Sequence, residues 1–321
     1  MSTTTFTKAA PDVPPVEPAL TPPPEPKAGT ATFVKNKLKI AAGKTKKKEF
    51  PVGLWTKCPK CEEMLFDKEL DENLKVCMKC RHHFPIGARE RIHSLVETCS
   101  FEEADAAMTS VDMLGFTGTT SYKDKLAASW KKTNLKDAVI TGIGQIGRQR
   151  VALGVMDFSF IGGSMGSVVG EKLTRLIETG TEKEIPVIIV STSGGARMYE
   201  GMFSLMQMAK TCAALAYHAR AKLPFISVLT HPTMAGVMAS FATVGDLILA
   251  EPDAMIGFAG ARVIKDTTQA ELPPDFQTSE FLLKHGLIDA IVARNEMKER
   301  LMDYMDFLMA GRRAAAAGRT V

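Results

Sequence analysis

The sequence predicts an α/β fold of repeated strand–strand–helix (ββα) units, preceded by a small module that four cysteines close around a metal ion. Three observations lead there. Short apolar, β-branched runs bounded by Gly, Pro or Asp alternate with longer stretches whose apolar residues recur at spacings of three and four. Two CxxC pairs stand close together in the first third of the chain. The chain has 321 residues, 45% of them apolar, which suffices for one large domain or two smaller ones with a buried core.

In chain order, residues 1–26 hold eight of the seventeen prolines, and residues 27–48 hold eight lysines. Neither stretch has helical or strand periodicity, so 1–50 reads as a disordered tail. A solvated linker or a contact with an anionic partner would each explain the lysines. The cysteine module follows over 51–87, then a helix over 88–97 that opens the main domain of 88–310. Strands are predicted over 138–143, 150–156, 186–192, 224–230, 246–250 and 254–257. Helices are predicted over 122–132, 165–179, 198–222, 234–243, 279–284 and 296–309. Pairs of strands followed by a helix give the α/β class. Residues 311–321 read as a flexible C-terminal tail.

Charge and hydropathy narrow the function. The net charge of +4 is uneven: residues 1–57 hold ten Lys and four acids, whereas the other 264 hold 30 Lys plus Arg against 32 acids. A near-neutral main domain is a poor polyanion surface by bulk charge. No apolar run approaches the roughly 18 to 20 residues that cross a bilayer, and the first residues lack a secretory h-region. Cysteines paired as metal ligands suit a reducing compartment, so the expected location is cytoplasmic, with no membrane contact.

Cys58, Cys61, Cys77 and Cys80, with fifteen residues between the pairs, have the spacing of two knuckles meeting at one tetrahedral Zn2+. Four protein ligands leave no open position for water, so the expected ion is single and structural. His82 and His83 lie just beyond and are expected at the surface. Lys57, Lys60, Lys79 and Arg81 keep open a second reading, in which the module binds nucleic acid.

Two segments run from strand through paired glycines into helix. One contains Gly162, Gly163, Ser164, Met165 and Gly166; the other contains Ser191, Ser193, Gly194, Gly195, Ala196 and Arg197. Missing Cβ atoms allow close approach of a ligand, and free N–H groups at a helix start favour an anion. Neither segment matches a P-loop, a dinucleotide fingerprint or a GxSxG elbow. The hydroxyls of Ser191 and Ser193 are expected to cap the helix that follows.

The run from Cys58 to Cys80 with Arg81-His-His-Phe, then FSFIGGSMGSVVGEKLTRLIE, STSGGARMYEGMFSLMQMAKT, THPTMAGVMASFATVGDLILAEPDAMIGFAGARVI and FQTSEFLLKHGLIDAIV, resembles the acetyl-CoA carboxylase carboxyltransferase beta-subunit family over about residues 52–310. The resemblance implies a crotonase-like fold behind a zinc ribbon. It implies transfer of a carboxyl group from carboxybiotin on a carrier protein to acetyl-CoA, giving malonyl-CoA for fatty acid biosynthesis. Implied partners are an alpha subunit in an α2β2 assembly, the biotin carboxyl carrier protein and biotin carboxylase. It places oxyanion donors at the Gly194 and Gly195 N–H groups and acyl-CoA contacts at residues 162–166. Biotin enters only on its carrier, and its ureido nitrogen takes the substrate proton, so no side-chain base is required. Glu200, His218 and His231 are therefore read as non-catalytic, and Met198, Met202, Met206 and Met208 as core or subunit contact. Gly195→Val is expected to cut turnover while sparing folding. Two alternatives remain: a carboxyltransferase for another acyl-CoA such as propionyl-CoA, and a nucleic-acid-binding regulator.

Overall fold

Proline, glycine and aspartate punctuate the apolar runs of this chain, and strands end where these residues take up turns or remove ladder donors. The computed structural model describes residues 54–269 and 271–311. The tails expected over 1–50 and 311–321 lie outside those residues, Gly311 excepted.

The N-terminal module pairs two short strands, β1 (Trp55–Lys57) and β2 (Met64–Phe66), antiparallel, and adds a helix, α1 (Asp67–Glu72). Its core is Leu65 and Leu70 with Cys58 and Cys77, too little apolar area to fold a module of this size unaided. Helix α2 (Ala88–Leu95) buries Ala88, Ile92, Leu95 and, unexpectedly, Arg91. A short acidic strand, β3 (Glu102–Ala104), precedes α3 (Tyr122–Thr133). Ser121 Oγ accepts from the Asp124 N–H to start α3, and Asn134 stops it in the left-handed region at φ 55°.

Strands β4 (Val139–Ile146) and β5 (Gln149–Met156) form a hairpin that leads into α4 (Ser167–Glu182). Then come β6 (Val187–Ser193), α5 (Met202–Arg220), β7 (Phe225–Met234) and α6 (Ala235–Met238). The chain continues through β8 (Leu247–Ala250), β9 (Ile256–Gly257), α7 (Ala261–Thr268), α8 (Ser279–Lys284), β10 (Ala290–Ile291) and α9 (Met297–Leu308). The eight strands after the N-terminal module make one sheet in the order β10-β8-β7-β6-β5-β4-β3, with β9 also on β7. From β5 through β8 the pairing is parallel.

Every residue of the central strand β6 is buried, which is why it reads as an unbroken apolar and hydroxyl run. Helices α4 and α5 pack on each other, tightly at Gly170, where a Cβ would come within 2.2 Å of Gln207 Oε1. Parallel strands in such a sheet offer ligand crevices at their carboxyl ends. Here those ends carry the glycine loops.

Candidate functional site

The ribbon repeats one local geometry twice. In the first knuckle the Glu62 N–H donates to Cys58 O at 2.9 Å and the Cys58 N–H to Glu63 O at 2.8 Å; in the second, the Arg81 N–H donates to Cys77 O at 2.9 Å and the Cys77 N–H to His82 O at 2.8 Å. Glu62 and Arg81 both lie at φ 60°, which turns each chain back over its two thiols. The four sulfurs all lie within 4.8 Å of one another, with Cys58 to Cys80 at 3.6 Å and Cys61 to Cys77 at 3.8 Å. A tetrahedron with Zn–S bonds of about 2.3 Å has edges of about 3.8 Å, so the four side chains fit zinc without rearrangement. Burial pushes the Cys58 thiol up, but hydrogen bonds from Cys61 and Lys60 outweigh it and bring the thiol down to about 7.

His82 and His83, expected at the surface, are half-buried against the main domain. His83 Nε2 accepts from the Arg294 N–H at 3.1 Å. Arg294 also donates to Leu74 O at 2.9 Å and Phe84 O at 2.8 Å, and forks onto Glu251 at 2.9 and 2.8 Å. Buried arginine thus fastens the ribbon to the sheet. Burial works against the Glu251 charge, but Arg91 and Arg294 outweigh it and hold that carboxyl at about 2. Three of the four cations available to a nucleic acid are already paired: Lys57 with Glu62, Lys60 with Asp253 and Lys79 with Glu63. That removes most of the ribbon's free positive charge.

The two glycine loops lie side by side. The Met165 N–H donates to Gly195 O and the Arg197 N–H to Met165 O, both at 2.9 Å, and the Gly194 N–H donates to Gly162 O at 2.9 Å. Gly163 and Gly195 are packing positions. Gly163 is at φ +63° with a would-be Cβ 2.3 Å from Thr192 O, and Gly195 is at φ +120° with a would-be Cβ 2.6 Å from Ala235 Cβ. At Gly166 a Cβ would sit 2.6 Å from Glu200 Oε1. Gly162 and Gly194 are open: nothing lies within 4 Å of a Cβ at the first, and only Gly162 O, at 3.5 Å, near one at the second. Together with Ile161, Ser164 and Ala196 they line a depression of about 370 Å³.

Three expectations need correction. The Gly195 N–H donates to Ser193 Oγ at 2.9 Å, so Ser193 closes a turn on the loop and caps no helix. Ser191 Oγ is buried and has no partner among the described residues. The helix expected over 198–222 breaks: a 3-10 turn over Met198–Glu200 ends at Gly201, φ 53°, and α5 begins only at Met202. Its dipole is therefore one turn removed from the glycines. With the Gly194 and Gly195 N–H groups both engaged, the N–H of Ala196, a residue that lines the depression, has no partner among the described residues.

Arg197 was missed as a structural centre. It is 1% exposed and donates to Asp137 Oδ1 at 2.7 Å and Oδ2 at 3.2 Å, to Ser164 O at 2.8 Å and to Ser164 Oγ at 3.1 Å. The guanidinium therefore ties both loops to the segment that enters β4. Glu200 Oε2 accepts from the Ser167 N–H at 2.6 Å and Oε1 from the Tyr122 hydroxyl at 2.6 Å, so it caps α4, in line with a non-catalytic role. His218 is likewise satisfied, bonded to Thr181 Oγ1 at 2.9 Å and to Pro224 O at 3.3 Å. Of the four methionines expected in the core or at a subunit contact, Met198, Met202 and Met206 are 75%, 66% and 56% exposed, whereas Met208 packs partly buried against the core.

A carboxyl transferase domain model matches residues 87–279, and an acetyl-CoA carboxylase zinc finger domain model matches residues 55–80. The acetyl-coenzyme A carboxylase carboxyl transferase subunit beta of Methylacidiphilum infernorum is 57% identical over 274 residues, 85% of this chain and 99% of that one. The chain belongs to this carboxyl transferase beta-subunit family. The family member from Synechococcus elongatus is 55% identical over 79% of this chain and 83% of its own. Among solved structures, transcarboxylase 12S with methylmalonyl-coenzyme A and methylmalonic acid bound matches at a TM-score of 0.59 and 25% identity, over 70% of this chain. This chain spans 41% of the 12S chain. A Pseudomonas malonate decarboxylase hetero-dimer shares the fold at a TM-score of 0.53 and 21% identity, over 73% of this chain and 95% of that one. The crotonase-like fold behind a zinc ribbon is thus borne out, and the chain is an enzyme subunit. No helix among the described residues is long and apolar enough to cross a membrane.

Proposed function

We propose that this subunit, docked to an alpha subunit, transfers a carboxyl group from carboxybiotin on its carrier protein to acetyl-CoA, giving malonyl-CoA. The observation that carries the reading is the pair of glycine loops at the ends of β5 and β6, open at Gly162 and Gly194 beside an Ala196 N–H that has no partner among the described residues. Removing a methyl proton from the thioester puts negative charge on the carbonyl oxygen. A backbone donor aimed at that oxygen contributes roughly 10² to 10³ in rate. The Ala196 N–H supplies one such donor, and the Gly194 N–H a second once a ligand oxygen displaces Gly162 O. Among the described residues no carboxylate or imidazole lines the depression, consistent with a carboxybiotin donor whose own ureido nitrogen takes the proton. Lys125 lines the same depression and offers a cation to a CoA phosphate.

The donor half of the site is expected from the alpha subunit. Met198, Met202, Phe203 and Met206 stand exposed at the start of α5, continuous with Leu114, which lies 3.3 Å from the Cβ position of Gly201. An apolar patch of this extent beside an active centre marks a protein interface. The purified chain is expected to make no malonyl-CoA from acetyl-CoA and carboxylated carrier, and to do so once the alpha subunit is added. Product from the chain alone would sink the proposal, and propionyl-CoA run in parallel fixes the acyl preference. Met202→Glu is expected to block co-elution with the alpha subunit and abolish reconstituted turnover, with the melting temperature of the free chain unchanged.

Cys58, Cys61, Cys77 and Cys80 would hold one zinc, which cross-links the ribbon and takes no part in the reaction. Binding on the order of 10 kcal/mol or more is expected for such a site. Metal analysis of chelator-free protein should give one zinc per chain. Cys61→Ala should lose it and expose the ribbon to protease, and zinc retained at full occupancy in that variant would refute the ligand set.

A further inference from the structure

Between the ribbon and the ends of β5, β6 and β7 lies a second cleft of about 360 Å³, which shares Phe158 with the glycine-loop depression. Its walls are largely apolar: Phe84, Pro85 and Ile86 from the ribbon side, and Met156, Phe158 and Val190 from the sheet. Three buried charged groups also line it: Arg91, Arg294 and Glu251, at 3%, 4% and 1% exposure. Arg294 is fully engaged, its Nε and Nη2 on Glu251 and its Nη1 on ribbon carbonyls. Arg91 is not. Among the described residues its one hydrogen-bond partner is Glu251 Oε1, through Nη1 at 2.5 Å, which leaves the Nε and Nη2 edge without an acceptor.

Among the described residues Glu251 is the only acidic side chain on the cleft wall, so two guanidiniums face one carboxylate. The cluster of Arg91, Arg294 and Glu251 therefore carries one net positive charge, and buried charge is ordinarily balanced. Burial and the neighbouring Arg294 bring Arg91 below the ordinary arginine value, against the pull of Glu251. The missing partner is one negative charge.

We propose that this cleft binds a monoanionic carboxylate with a short apolar body, both carboxylate oxygens accepting from Nε and Nη2 of Arg91. The planar Nε and Nη2 edge of a guanidinium matches a carboxylate in two parallel hydrogen bonds. The apolar walls suit the ligand's body, and the volume suits a small molecule. A phosphate dianion fits less well. It overshoots the single excess charge, and the nearby Thr192 and Thr230 hydroxyls already donate to backbone carbonyls. The carboxylate comes either from a free acid or from the acyl end of a carboxylated thioester. The proposal rests on the cleft alone, not on the carboxyl-transfer reading, so either can fail without the other.

Calorimetric titration of the full zinc-loaded chain with sodium butyrate and sodium hexanoate tests it. Both are expected to bind saturably, hexanoate about tenfold tighter because its two further methylenes are buried. Arg91→Gln is expected to weaken both by about ten- to a hundredfold. Should that variant fail to fold, Ile86→Trp fills the cleft, leaves the arginine pair intact and is expected to abolish binding. Malonyl-CoA displaced by hexanoate, with acetyl-CoA unaffected, assigns the acyl end as the source; free acids that bind without displacing malonyl-CoA assign a separate acid ligand. Absence of saturable heat from either acid, unchanged binding in Ile86→Trp, or inorganic phosphate competing as strongly as hexanoate would each overturn the proposal.

Discussion

Arg197→Met is expected to destabilise the chain by about 3–5 kcal/mol, because it leaves the Asp137 carboxylate buried without its partner. Both side chains of that pair are 0% exposed. The same change also removes bonds to Ser164 O and Oγ, to Ser110 Oγ at 3.0 Å and to the Tyr122 hydroxyl at 3.2 Å. Burial works against the Arg197 charge, yet Asp137 more than offsets it and holds the guanidinium above its ordinary value. A domain is typically stable by about 5–15 kcal/mol, so the loss is a large share of the total. Urea unfolding should show it. Asp137→Asn combined with Arg197→Met should recover part of the loss, since the uncompensated charge is then gone. Losses that simply add would mean that the two residues do not act as a pair.

Arg197 also shows why the sequence discloses some of this chain and hides the rest. Strand β6 was legible because its β-branched run is bounded by Pro186 and by the serine and glycine residues at 193–195. The four zinc ligands were legible because a metal needs them at fixed local spacings. Arg197 sat inside a recognisable motif, but Asp137, Tyr122 and Ser110 lie 60, 75 and 87 residues away in sequence, and no local pattern announces them. The break before α5 was hidden for a related reason. Residues 198–222 keep helical periodicity throughout, whereas the break depends on the positive φ of Gly201 and on Ser204 Oγ donating to Arg197 O. Strand β3 is acidic and three residues long, and exists only because β4 pairs with it. Arg91, Glu251 and Arg294 stand far apart in sequence with no local pattern to link them; the fold brings them into one buried cluster.

Gly194→Ala and Gly195→Ala are expected to separate chemistry from packing. Gly195 is buried at φ +120°, with Ala235 Cβ 2.6 Å from the Cβ position, so any side chain there is strained and overpacked. Such backbone strain costs about 1–3 kcal/mol, and forcing extra methyl groups into a packed site adds about as much again. The turnover loss expected of Gly195→Val is therefore inseparable from damage to the fold. Gly194 is exposed, and a Cβ there makes only ordinary contact with Gly162 O at 3.5 Å. A methyl group at that point stands in the depression beside the Ala196 N–H and keeps a thioester oxygen from it. Gly194→Ala should leave the melting temperature and the zinc content unchanged, while kcat of the reconstituted enzyme falls by roughly 10². Acetyl-CoA affinity should change little, because most of that ligand lies beyond the glycine loops. Normal turnover in Gly194→Ala, with correct assembly, would remove the loop edge from the mechanism. Equal melting temperatures for both variants would instead mean that the approach of Gly195 to Ala235 relaxes without cost.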